Sequence, residues 1–100
     1  MAKKSMLERE SKRQKLIKKY RKFREKLIND VKKAKTINEK YQYYFKLQRL
    51  PRNSVPIRSR NRCWKTGKPR GYSRFFGLCR NALREMALDC FLPGIIKSSW

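Results

Sequence analysis

A chain of 100 residues with 29 Lys and Arg against 7 Asp and Glu carries a formal +22 and repels itself when compact. A polyanionic partner relieves that repulsion, and nucleic acid suits because each phosphate contact releases condensed counterions. A membrane surface is the competing polyanion, but the hydrophobic content argues against it, since no segment approaches the roughly 20 apolar residues of a spanning helix.

Catalysis is excluded on similar grounds. The sequence has no histidine, which removes the commonest general base together with the commonest metal ligand. It has no Gly-rich phosphate loop before a Lys-Ser/Thr pair. Glu85 and Asp89, spaced i and i+4, suit pairing with nearby Arg rather than a carboxylate dyad. Neither an enzyme nor a small-molecule substrate is expected. Cys63, Cys79 and Cys90 are an odd set, a poor disulfide framework that fits a reducing compartment. The first residues lack the apolar run of a signal peptide, and the early Glu8 and Glu10 suit a transit peptide badly. The expectation is a protein that works in the compartment where it is made.

Along the chain, residues 3–35 are densely charged, with Leu16, Ile17, Tyr20, Phe23, Leu27, Ile28 and Val31 at steps of three and four. That spacing predicts one amphipathic helix. Ser5 with Glu8 reads as a capping box that opens it. Thr36 with Glu39 repeats the signature and predicts a second helix to about Lys46, with Ile37, Tyr41, Tyr44 and Phe45 on its apolar side. Pro51 forbids continuation, because it lacks an amide donor and restricts Leu50 before it.

From Arg49 to Arg80 the chain holds no acidic residue and ten basic ones: Arg49, Arg52, Arg58, Arg60, Arg62, Lys65, Lys68, Arg70, Arg74 and Arg80. Pro51, Pro56, Gly67, Pro69, Gly71 and Gly77 break any long regular element there. Arg predominates over Lys, and its planar fork meets phosphate with two parallel hydrogen bonds and stacks on bases. Trp64, Tyr72, Phe75 and Phe76 are interleaved. Such an aperiodic segment suits folded RNA, where splayed bases and irregular backbone offer stacking and clamping surfaces. An ordinary solvated loop would mix both signs of charge. Trp64, Tyr72 and Phe76 either stack on bases or pack beneath them. The third zone, Arg80 to Cys90, reads as a short helix with Leu83, Met86, Ala87 and Cys90 on one face, ended by Pro93-Gly94.

Cys63 and Cys79 sit in a frame that would make a zinc ribbon with two more ligands, but Thr66 and Ala82 stand three residues after them. A structural zinc site takes four Cys or His ligands. No metal and no other cofactor is therefore expected. In its place Trp64, Tyr72, Phe76, Leu78 and Leu83 should pack a small knot around the thiols. The expected fold class is mainly α with an irregular extended basic loop: an N-terminal helical arm at 1–48, then the loop and a small zinc-ribbon-like RNA-binding core without metal at 49–100. The candidate RNA-binding set is the ten basic residues above with Tyr72 and Lys97.

The run Arg62-Cys63, twelve residues, then Phe76-Gly77-Leu78-Cys79-Arg80 and Arg84 resembles the signature of the small-subunit ribosomal protein fourteen family. Leu47 to Ser54, Arg60 to Cys63, Thr66 to Arg70 and Leu92 to Trp100 extend the resemblance over essentially the whole chain. The family has a short zinc-bearing form and a longer form with an N-terminal helical arm and no metal. This chain is similar to the longer form, although it keeps Cys63 and Cys79. The resemblance implies a structural place in the head of the small subunit, on its 16S-type ribosomal RNA, near neighbour proteins three, ten and nineteen. The Arg84-Glu85-Met86 run and the Ser98-Ser99-Trp100 ending look like plastid versions. That implies a ribosome of the chloroplast stroma, with a bacterial cytoplasm as the alternative.

Overall fold

The computed structural model describes residues 1–100, in two compact units. One comprises Met1–Leu7 with Arg60–Trp100, the other Glu8–Ser59. The elements in chain order are α1 (Lys4–Lys33), α2 (Ile37–Gln48), two 3-10 turns (Arg52–Ser54 and Pro56–Arg58), β1 (Tyr72–Ser73), β2 (Leu78–Cys79) and α3 (Arg80–Leu88). The molecule is mainly helical, as the periodicity predicts. No helix is long and apolar enough to cross a membrane.

At 30 residues, α1 is about 45 Å long at 1.5 Å per residue. It does not open at the Ser5–Glu8 box. The helix begins at Lys4, so Ser5 lies inside its first turn and is not the capping residue. Of its apolar stripe Leu27 is buried, whereas Phe23 and Ile28 are about half exposed. In α2 the cap forms where the spacing places it: Thr36 is extended, and its hydroxyl accepts from the Glu39 amide at 3.4 Å. The helix reaches Gln48, two residues beyond Lys46, and closes when the Arg49 amide donates to Phe45 and Leu47. Its expected apolar side is not covered. Ile37, Tyr41, Tyr44 and Phe45 are 71%, 59%, 50% and 61% exposed, and α2 buries no residue. In the same unit, the Arg24 guanidinium donates to the buried Ser54 hydroxyl at 2.8 and 3.1 Å and to the Pro51 carbonyl at 3.4 Å. These bonds tie α1 to the first 3-10 turn.

In the other unit, β1 and β2 pair antiparallel, Tyr72 opposite Cys79 and Ser73 opposite Leu78. The Gly77 amide closes their turn on the Ser73 carbonyl at 2.8 Å. The turn from Cys63 to Lys68 docks beside it, with the Trp64 amide donating to the Gly77 carbonyl at 3.2 Å. Cys63, Leu78, Cys79, Ala82 and Leu83 form the core, with Phe76, Met86 and Leu92 packed against it. Trp64 is not part of it. Its side chain is 67% exposed, and its indole edge lies over Gly77, where an added Cβ would meet Cδ1 at 3.2 Å. Gly67 has φ +74°, and a Cβ there would stand 2.7 Å from the Leu7 side chain. The first residues of the chain pack on this turn, with the Ala2 amide donating to the Thr66 carbonyl at 3.0 Å.

The third helix does not run to Cys90 and Pro93-Gly94 does not end it. It ends at Leu88 in a Schellman motif: the Cys90 amide donates to Ala87 and the Phe91 amide to Met86. Cys90 takes the left-handed conformation usually given to glycine, φ +59°, and is exposed rather than on the core face.

Candidate nucleic-acid interface

The hairpin fixes where the cations of the 60–100 unit stand. Arg70 precedes β1, Arg74 lies in the turn between the strands, and Arg80 opens α3 directly after β2. The Arg80 amide donates to the Gly71 carbonyl at 2.7 Å, so the start of α3 is pinned beside the start of β1. Arg70, Arg74 and Arg80 are exposed and make no ion pair within the chain. Lys68 and Lys97 are exposed as well. Lys65 stands 3.7 Å from Glu85 at the surface, a pair of small energetic weight.

Two candidates are partly engaged inside the fold. Arg62 is half-buried and donates from Nη1 to the Gly67 carbonyl at 3.0 Å, which braces the Cys63–Lys68 turn. Its Nε is buried without a partner. Arg60 donates from Nε to the Pro69 carbonyl at 3.3 Å while its side chain remains exposed. The remaining candidates, Arg49, Arg52 and Arg58, belong to the helical unit. Arg49 and Arg52 are exposed and Arg58 is half-buried.

Among the aromatics, Tyr72 is half-buried on β1 with its hydroxyl close to Gly77. Phe75, at the hairpin tip, is 88% exposed and meets Phe76 edge-on at 4.8 Å. Phe75 and Trp64, with Phe91 and Trp100, are rings that the unit leaves exposed, and none is in the sequence-derived set. The available signal was their position: Phe75 directly precedes Phe76-Gly77, and of two adjacent aromatics in a four-residue turn only one faces a small core.

The centre of the knot is chemically distinct. Cys63 and Cys79 are each 2% exposed, and the Thr66 hydroxyl lies 3.4 Å from the Cys79 sulfur. Burial pushes the Cys63 thiol up, but the Thr66 hydroxyl and the backbone amides of Cys79, Thr66 and Lys65 outweigh it. Together they bring its pKa from 9.0 down to about 6. Ala82, fully buried, contributes only a methyl group. The donor set is two thiols and a hydroxyl, with no cluster of three or more His, Cys, Asp or Glu, and this falls short of what structural zinc takes.

Arg84 is a further internal brace. It donates from Nη2 to the Ser98 carbonyl at 2.6 Å and so holds the C-terminal tail, which carries Lys97, against α3.

Residues 46–99 match the family described as ribosomal protein S14p/S29e. Over all 100 residues of both chains, the sequence is 61% identical to the small ribosomal subunit protein uS14 of Thermosynechococcus vestitus. It is 57% identical to uS14c of Guillardia theta and 56% identical to uS14c of Chlorella vulgaris, again over the full length of each.

Proposed function

The chain belongs to the ribosomal protein S14p/S29e family, a structural component of the ribosome rather than an enzyme, and from that premise we propose that it binds small-subunit ribosomal RNA. The reading goes further. The protein sits in the head of the subunit, holds converging segments of 16S-type RNA, supports assembly, and has proteins three, ten and nineteen as neighbours. Its ribosome is that of the plastid stroma, a reading supported by the uS14c relatives, while the 61% identical relative from Thermosynechococcus vestitus keeps a bacterial cytoplasm as the second reading.

The observation that carries the RNA reading is that Arg70, Arg74 and Arg80 flank one folded hairpin, exposed and without acidic partners. Exposed guanidinium groups carried by one folded hairpin offer phosphates charge-assisted hydrogen bonds without first giving up an internal ion pair. Arg49, Arg52, Arg58, Arg60, Lys65, Lys68 and Lys97 add phosphate contacts around it. Arg62 contributes mainly by bracing the turn that carries Lys65 and Lys68.

Binding of the full chain to small-subunit RNA, measured against salt concentration, tests this. Arg70→Ala and Arg74→Ala should each weaken binding and lower the salt slope by about one unit. If neither affinity nor slope changes, the hairpin is not an RNA contact. Phe75→Ala should cost about 1–3 kcal/mol of binding where the ring stacks on a base.

A further inference from the structure

The helical unit contains a cleft of about 490 Å³ between one face of α1 and the first residues of the second 3-10 turn. Ile17 and Ile28 from the helix and Val55 and Pro56 from the turn form apolar walls. Arg21 and Arg24 stand at its edge. Both are oriented: Arg24 by Ser54, which is 1% exposed, and Arg21 by Glu25, which also lines the cleft, at 3.0 Å through Nε. The volume is within the range of small-ligand sites and exceeds what a single bound water or ion needs.

We propose that this cleft receives one unstacked nucleotide of the RNA, its base between the aliphatic walls and its phosphate on Arg21. The proposal rests on the RNA-binding reading and adds a second, base-inserting contact on a different unit from the hairpin.

Charge selects the occupant. Residues 12–33 carry eleven Lys and Arg against Glu25 and Asp30, so the helix that forms one wall of the cleft attracts a polyanion. A flat heteroaromatic ring on an anionic backbone matches an apolar slot with guanidinium groups at its rim, because the ring gains dispersion contact while the phosphate gains charge-assisted hydrogen bonds. Single-stranded loops and bulges supply such bases at small unstacking cost. An aliphatic side chain from a neighbouring protein would fill the walls but add no anion for Arg21, whose bond to Glu25 is made through Nε alone.

The test uses the full-length chain assembled into small subunits, with base-specific chemical probing of the RNA and hydroxyl-radical probing of its backbone. The expected result is one base protected by the wild-type chain. Val55→Trp, which fills the slot, and Ile28→Asp, which sets a carboxylate at an exposed position of its wall, should each remove that protection and weaken binding about tenfold. Arg74→Ala should weaken binding and leave the protection in place. A benzophenone side chain at position 28 should cross-link to RNA. If it cross-links to protein instead, or if both cleft variants leave base protection and affinity unchanged while the backbone stays protected, the nucleotide proposal is wrong and the RNA-binding reading stands. If the wild-type chain protects no RNA at all, the RNA-binding reading itself fails.

Discussion

The two units carry charge of the same sign and differ in what holds them. The 60–100 unit, with residues 1–7, surrounds a continuous core of Cys63, Leu78, Cys79, Ala82 and Leu83. The 8–59 unit buries Leu27, Glu10 and Ser54, and its second helix buries nothing. One region is thus shaped by its own packing, with cations set on its hairpin. The other is shaped by helix propensity, caps and the Arg24–Ser54 bonds, and leaves apolar surface for something else to cover. In a chain of +22, apolar burial is available for a small anchor, and the remaining surface serves partners.

The sharpest way to break this contrast is at Leu78, which is 1% exposed. Leu78→Ala should destabilise the knot by about 2–5 kcal/mol, read as accelerated hydrogen exchange from residues 60–90 with little change in α2. Exchange that accelerates equally in α2 would mean that the two units share one cooperative transition.

A pH series separates the units in a second way. The folded Cys63 pKa, about 6, lies below its ordinary 9.0, so the thiolate form favours the folded knot. The resulting stability is fully present above pH 9, shrinks as pH falls and is lost below about 6. Between those values knot stability should rise with pH, by at most about 1.4 kcal/mol per unit. Cys63→Ala should flatten the slope.

Cys90→Gly should stabilise the knot by about 1 kcal/mol, because glycine takes the left-handed conformation without the Cβ penalty and the exposed thiol loses no packing. The smallest effect on folding belongs to α2. Tyr41→Ala should change stability by less than about 0.5 kcal/mol, since the ring is 59% exposed, yet reduce incorporation into the subunit. A large folding defect would show that this face is packed in solution.

Much of the fold was legible in the sequence, for local reasons. Thr36 with Glu39 placed a cap correctly because capping involves residues three apart. Ser5 with Glu8 carries the same pattern and failed, because the chain is already helical at Lys4. The end of α3 was misplaced because a Schellman closure needs only one residue to enter the left-handed region, and Cys90 does so without being glycine. The apolar side of α2 was read as a stripe, and the structure leaves it exposed: periodicity identifies a face, and only packing shows whether anything lies on it.

The candidate interface divides in the same way. Basic residues between Arg49 and Arg80 are countable in the sequence, but which guanidinium groups point outward is not. Arg62 and Arg84 brace backbone carbonyls, while Arg70, Arg74 and Arg80 ring the hairpin. Trp64 was expected in the knot and lies outside it, since Leu78, Ala82 and the two thiols already fill the space.

Composition and local spacing determined that this protein is cationic, mainly helical and without catalytic equipment, because charge, caps and helical stripes depend on near neighbours in the chain. Tertiary structure decided which cations are braces and which are exposed, which rings face outward, and that a cleft opens beside Arg24. Those properties depend on residues as far apart as Arg24 and Ser54, or Ala2 and Thr66, which only the folded chain brings together.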